Sequence, residues 1–308
     1  MIKSPNVRIE MVPEEAGVSF EWDSYEDFEK DRADLAVQKP RFKKYADETS
    51  NAGGMNWLGV DDGYEGVYRR VRNGWPELRE ATTRMMKGIE LELPMLPSYA
   101  MLRKRKIRRD DHGDQLDMPR VWNGELETAW SRPARTERMS VDTRRITLAF
   151  DVTANASIKN SQAMWRAALC MLLVDAMARA GRIMEVWVID STAYPFKMDS
   201  TRQVPLRLWS GWCAKRTNDP IVMDRLCAMV SVGYMRTVGF TAYGCGPWDP
   251  SATFGSALNT GLTRTLRDRQ KAGEIVLRIG ECYSREQCVD EYKRACAEVE
   301  AASRPEVV

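Results

Sequence analysis

The segment from Arg145 to Ile189 constrains this chain more than any other. Arg145-Ile-Thr-Leu-Ala-Phe150 is a short, largely apolar run, read as a buried strand, that ends at Asp151. Ser157 to Ala180 then carries apolar residues at helical spacing, and Glu185-Val-Trp-Val-Ile189 is a second strand-like run closing at Asp190. Trp165, Leu169, Leu172, Leu173, Ala176 and Ala180 trace the buried face of the helix, and Gly181 supplies its C-terminal cap. Two strands joined by a crossover helix form a βαβ unit, which sets the strands parallel and the crossover right-handed. The alternation continues downstream. Asp219-Pro220 opens a helix to about Val230, Val238 to Tyr243 reads as a strand, and Ser256 to Lys271 reads as a helix with Leu258, Leu262 and Leu266 on one face. Ile275 to Ile279 is a strand. Ser284-Arg-Glu-Gln287 is a capping box, and the helix behind it buries Cys288, Tyr292, Cys296 and Val299. Residues 140–308 therefore predict a doubly wound α/β fold with a mostly parallel sheet.

The 308 residues are enough for one large or two ordinary domains. Residues 1–135 read as a separate α+β region. Phe20 and Trp22 alternate as in a strand, and Tyr25 and Phe28 follow at helical spacing with Asp23 or Ser24 as N-cap. Loop signals stand at Asn51 to Gly54 and at Asp61 to Gly66. Pro76 opens a helix through Lys87. Trp122, Leu126 and Trp130 are four apart, the stripe of one helix, and the polar stretch Ser131 to Val141 reads as the linker between the halves.

Apolar residues make up 44% and charged residues 29%, with Lys+Arg 46 against Asp+Glu 44, so a disordered or collagen-like chain is excluded. No run is long enough to span a bilayer and Met1 to Glu10 lacks the apolar core of a signal peptide, so a cytoplasmic protein without membrane contact is expected. The 7 Cys, none in a CxxC pair, predict reduced and buried thiols. The single His, His112, lies among Asp110, Asp111 and Asp114 and has no nucleophile elbow, P-loop, Rossmann glycines or HExxH beside it. Asp190 and Asp199 show no pattern of a glycosidase couple. No enzyme is expected.

The best candidate site is the loop Asp151-Val-Thr153-Ala-Asn155-Ala-Ser157, because open α/β sheets bind ligands beyond the carboxyl ends of their strands. Here the chain resembles a von Willebrand factor A-like domain, over residues 144–300. In that family a DxSxS loop holds a hard divalent cation. The resemblance implies Asp151, Thr153 and Asn155 as ligands, with Thr253 as the second-loop residue and Mg²⁺ or Mn²⁺ as the ion. Where the family supplies an Asp in a third loop, this chain has Arg278-Ile279-Gly280. The site is degenerate in that respect.

A second resemblance rests on Gly113-Asp-Gln-Leu-Asp117, Trp122-Asn-Gly124, Trp130, Trp165-Arg166 and Glu185-Val-Trp187. These are similar to an uncharacterised family of tailed-bacteriophage proteins with a von Willebrand A-like half, which implies a phage or prophage origin and a bacterial host cytoplasm.

Arg103, Lys104, Arg105, Lys106, Arg108 and Arg109 form a basic run with two open readings. One is contact with the phosphates of RNA or DNA. The other is an edge strand whose charges discourage pairing with another sheet, which the near-neutral total charge favours. Together the residues favour a non-catalytic, phage-type interaction or assembly protein that binds a protein partner or itself. Nucleic-acid binding through the basic run is the alternative, and divalent-cation-dependent ligand binding at Asp151 is the third reading.

Overall fold

The computed structural model describes residues 8–12, 17–38, 60, 62–89, 92–96, 107–110, 115–133, 145–153, 158–197, 203–239, 256–257, 261–280 and 282–303. Its main sheet is built around β6 (Ile146–Asp151), β7 (Met184–Lys197) and β10 (Ile275–Ile279). β6 lies between the other two and is parallel to both, as the strand–helix–strand pattern requires. β7 then turns back into β8 (Gln203–Lys215) as a long antiparallel hairpin, and the two-residue β9 (Ser256–Ala257) pairs with the upper part of β7.

The first residues of the chain complete this sheet. β2 (Gly17–Trp22) pairs parallel with β8, and β1 (Arg8–Val12) pairs antiparallel with β2, so the order is β1-β2-β8-β7-β6-β10. The two halves separated by composition near residue 135 thus share one mixed sheet. The hairpin explains why. With β7 on one side, β8 has a second edge to satisfy, and β2 supplies the partner for it. Gly17 faces Arg207 in that pairing, and a Cβ on it would sit 2.2 Å from the Trp209 ring, so the close approach requires glycine.

Both sheet faces are covered. Along β6, Ile146, Leu148 and Phe150 enter the larger core, whereas Ala149 enters a second cluster with Trp187, Ile189, Leu262, Leu266 and Val276. The larger face is closed by α5 (Asn160–Arg179), with α2 (Gly63–Asn73), α3 (Pro76–Met86), α6 (Met223–Met229) and α8 (Arg285–Ser303) around it; the other by α7 (Arg264–Lys271). Because α5 touches helices as well as the sheet, it is buried on several sides and lacks a polar stripe. It ends in a Schellman motif: the Gly181 amide donates to Ala178 and the Arg182 amide to Met177, with Gly181 at φ +68°. At the start of α8, Ser284 Oγ accepts from the Gln287 amide at 3.3 Å while Gln287 accepts from the Tyr283 amide at 2.7 Å, one position earlier than a regular capping box. The four apolar residues expected on α8, Cys288, Tyr292, Cys296 and Val299, are buried.

α1 (Tyr25–Gln38) begins at Ser24, whose Oγ accepts from the Asp27 amide at 3.2 Å. It brings Tyr25 and Phe28 onto Trp22 and Trp212. The Phe28 and Trp212 rings stack at 4.9 Å, Trp22 meets Phe28 edge-on at 5.2 Å, and Tyr234 closes on Trp212 at 5.2 Å.

Several expectations are corrected. The Asp61 to Gly66 turn signal is overridden by α2, in which Gly66 makes room for the carboxylate of Asp62 paired with Arg70 at 2.7 Å. Val238 belongs to a π-helical turn, Met235–Gly239, and not to a strand. The helix read from Ser256 starts at Arg264, behind β9. The Trp122, Leu126, Trp130 stripe is not one helix. It is divided between α4 (Met118–Trp122), a 3-10 turn (Leu126–Thr128) and β5 (Trp130–Pro133), because Asn123-Gly124, with Gly124 at φ +78°, breaks the helix. β5 takes the start of the expected linker and pairs with β3 (Ile107–Asp110) and β4 (Gln115–Leu116) in a separate antiparallel sheet of order β3-β5-β4. Six cysteines are buried and unpaired; Cys245 lies outside the described residues. Among the described residues no helix is long and apolar enough to cross a membrane.

Candidate functional site

β6 delivers Asp151 to the carboxyl end of the sheet, and β7 in parallel register delivers Asp190 and Ser191 next to it. The Val152 amide continues the ladder by donating to Ile189 at 2.8 Å. Asp151 Oδ1 accepts from the Thr153 amide at 3.0 Å and from the Thr153 hydroxyl. The same Thr153 Oγ1 lies 2.9 Å from Asp190 Oδ1 and accepts from the Ser191 amide at 2.9 Å. One hydroxyl proton therefore has two carboxylates within reach. All four residues are buried.

The charge that offsets these carboxylates comes from β10. Arg278 Nη2 donates to Asp151 Oδ2 at 2.5 Å, a partly buried, charge-assisted pair. Beneath it Arg166 of α5, 1% exposed, donates to the carbonyls of Val152 at 2.8 Å and Thr153 at 3.3 Å and to Tyr283 Oη at 2.9 Å. Tyr283 Oη donates in turn to the Thr153 carbonyl at 2.9 Å. A fixed guanidinium and a phenol thus hold the loop backbone from below.

Glu291 of α8 completes the surround. It accepts from the Gly280 amide at 2.9 Å and from Arg294 at 2.6 Å, while Arg294 also donates to the Arg278 carbonyl at 2.6 Å. Burial alone would raise the Glu291 carboxyl. The Arg294 and Gly280 hydrogen bonds, with the charges of Arg294 and Arg278, hold it below the ordinary glutamate range. A carboxyl lowered on folding contributes stability that is present above the unfolded value, about 4.3, and is lost as pH falls through the folded value. Glu291→Gln is expected to flatten the decline of thermal stability below about pH 4.5. An unchanged acid limb in a pH series of melting curves would contradict this.

Among the described residues the carboxylate of Asp151 is met by donors of the chain itself, while the Nε atoms of Arg166 and Arg278 are buried without a hydrogen-bond partner. The guanidinium of Arg278 stands on the carboxylate that would be the first ligand. Among the described residues no group of three or more His, Cys, Asp or Glu is assembled to hold a metal. Of the residues expected at this site, Asp151 and Thr153 come together, whereas Asn155, Ser157 and Thr253 lie outside the described residues. Asp190 and Ser191 join the site although sequence reasoning did not place them there; the signal available was that both apolar runs close on an Asp. Arg103, Lys104, Arg105, Lys106, His112 and Asp199 also lie outside the described residues, while Arg108 and Arg109 are in β3.

A second concavity, of about 380 Å³, opens between the start of α1 and the end of β8. Arg225 donates to Glu26 at 2.9 Å there, and Lys215 Nζ donates to the backbone carbonyl of Arg216 at 2.8 Å. Burial lowers Lys215 from the ordinary lysine value.

The family described as Domain of unknown function (DUF7192) has a model that matches residues 9–300. The chain belongs to that family. The DUF7192 match opens in β1 and ends in α8, so it takes in both β2 and β8, the pair that joins the two halves. No curated protein and no solved structure matches the chain.

Proposed function

We propose that the chain is a non-catalytic interaction protein, of the assembly type suggested by its likeness to the tailed-bacteriophage family, on a degenerate von Willebrand A-like scaffold. Its binding surface on this reading is the small sheet with α4, and the strand-end loop is structural. The observation that carries the reading is a run of exposed large apolar side chains: Leu116 at 41%, Met118 at 42%, Trp122 at 77% and Leu126 at 62% exposure. These are four of the eight such residues on the described surface, and they fall within eleven positions. Scattered single exposed apolar residues are ordinary, but a contiguous group with a polar rim marks an interaction site, and an exposed Trp is the commonest hot-spot residue. The paired Asp151 and Arg278 support the other half of the reading, since a cation-dependent binder needs Asp151 free.

The test is recovery of a tagged chain from expressing cells after brief cross-linking, with and without nuclease. A protein, either another chain or a second copy, is expected to co-purify after nuclease treatment and to be lost with Trp122→Ser/Leu126→Ser. Retention of the same protein by that variant, or recovery that depends on nucleic acid, overturns the reading. The latter outcome would favour the basic run.

A further inference from the structure

We propose that the concavity between α1 and the end of β8 is a binding site for a small organic carboxylate with an apolar body. The topology places the site. β2 and β8 are parallel neighbours, with Trp22 opposite Trp212, and each is followed by a helix, α1 after β2 and α6 after β8. In open sheets a ligand binds in the crevice outside the carboxyl ends of such strands. Because β8 runs antiparallel to β7, this crevice is at the opposite end of the sheet from Asp151. Its volume of about 380 Å³ lies in the range of small-molecule pockets, roughly 300 to 1,000 Å³.

Charge gives the class of ligand. Lys215, Arg216 and Arg225 line the crevice against Glu26 and Asp219. Arg225 is paired with Glu26 at 2.9 Å, and Asp219 Oδ2 accepts from the Arg216 amide at 2.8 Å. Lys215 is 5% exposed, yet its ammonium donates only to carbonyls, those of Arg216 at 2.8 Å and of Met184 and Thr217 at 3.4 Å. Among the described residues no carboxylate pairs with it, although a buried charge is ordinarily paired. Those carbonyls occupy its three donors, so Lys215 contributes field to the crevice, and the hydrogen bonds come from Arg216. The Arg216 guanidinium is exposed, and its one hydrogen bond among the described residues runs from Nη2 to the Asp23 carbonyl at 3.4 Å. A planar fork is left for a carboxylate. Three cations against two carboxylates leave one positive charge, which a monocarboxylate neutralises and a phosphate dianion overshoots. Tyr25, Ala214, Pro220, Val222 and Leu226 supply the wall for the apolar body.

Titration of the full chain with benzoate and with hexanoate, one flat and one flexible body, followed by calorimetry and by ligand-observed NMR, tests this. Saturable binding of at least one of them with a stoichiometry of one is expected. Benzamide, the neutral counterpart of benzoate, and inorganic phosphate are expected to bind at least about tenfold more weakly, the scale of one charge-assisted hydrogen bond. Arg216→Gln removes the fork and should cost about tenfold or more in affinity, while Arg216→Lys keeps the charge and should recover only part of it. Val222→Trp fills the crevice from an exposed wall without changing any charge, and should abolish binding.

Arg216 and Val222 are both exposed, so melting curves near wild type are expected for these variants. Absence of saturable binding of both carboxylates to the wild type overturns the proposal. So does benzamide binding as tightly as benzoate, or carboxylate binding that survives both Arg216→Gln and Val222→Trp. Phosphate binding more tightly than either carboxylate overturns the assigned class. The site is independent of the α4 face. Trp122→Ser/Leu126→Ser should bind the carboxylates as the wild type does, so this proposal and the interaction reading stand or fall separately.

Discussion

Arg278→Ala is expected to destabilise the protein by about 2 to 4 kcal/mol, toward the lower part of what breaking a buried ion pair costs, because the guanidinium keeps some contact with water. Its side chain is 29% exposed, whereas that of Asp151 is 2% exposed and would be left as an uncompensated carboxylate next to Asp190. Neutralising the partner should reverse much of the loss, so Arg278→Ala/Asp151→Asn is expected to be more stable than Arg278→Ala alone. The single variant should also gain a property that the wild type lacks. With the guanidinium removed, Asp151, Asp190 and the Thr153 hydroxyl present hard oxygen donors around an unneutralised centre, and millimolar Mg²⁺ or Mn²⁺ should raise its melting temperature. Thermal melts of both proteins with and without metal decide the matter. Metal stabilisation of the wild type that disappears in Asp151→Ala would favour cation-dependent binding, the third reading, over the interaction reading.

The parts of this fold that were legible in the sequence are those held together by local spacing. β6, α5 and β7 follow from apolar runs within one stretch, and the N-terminus of α8 follows from Ser284 and Gln287. The pairing of β2 with β8 was not legible, because Gly17 and Arg207 meet across most of the chain and no local pattern records a partner that distant. Pro205 and Gly211 also blur β8 as a strand. The apolar spacing of Trp122, Leu126 and Trp130 misled for the converse reason. Four-residue spacing describes a helix only if the backbone stays helical, and Asn123-Gly124 ends it.

At the site, Asp151 and Thr153 were legible from their place at a strand end. The role of Arg278 was not. In sequence it is a missing carboxylate, and only the register that puts Arg278 beside Ala149, two residues before Asp151, turns it into the counter-charge.

Trp212→Ala is expected to be among the most damaging single substitutions, at about 3 to 5 kcal/mol, the range for removing a fully buried aromatic ring. Trp212 contacts Trp22, Tyr25, Phe28 and Tyr234, so its loss opens a cavity shared by β2, α1, β8 and the helical turn Val232–Tyr234. The neighbours are poorly placed to collapse into the space, since Trp22 is held by a 2.8 Å hydrogen bond from its Nε1 to Asp31. The same cluster decides how the chain divides. A fragment of residues 140–308 retains β6, α5, β7 and β10 but exposes Trp209 and Trp212 along with the open edge of β8. It should therefore lack a cooperative thermal transition, and its tryptophan emission should be that of wetted rings. A sharp melt of that fragment with a buried emission spectrum would mean that the second half folds alone and that β1, β2 and α1 are an addition to it. Loss of cooperativity, together with a similar destabilisation by Trp22→Ala in the full chain, would instead make the two ends of the sequence one folding unit, joined across the β2–β8 pair.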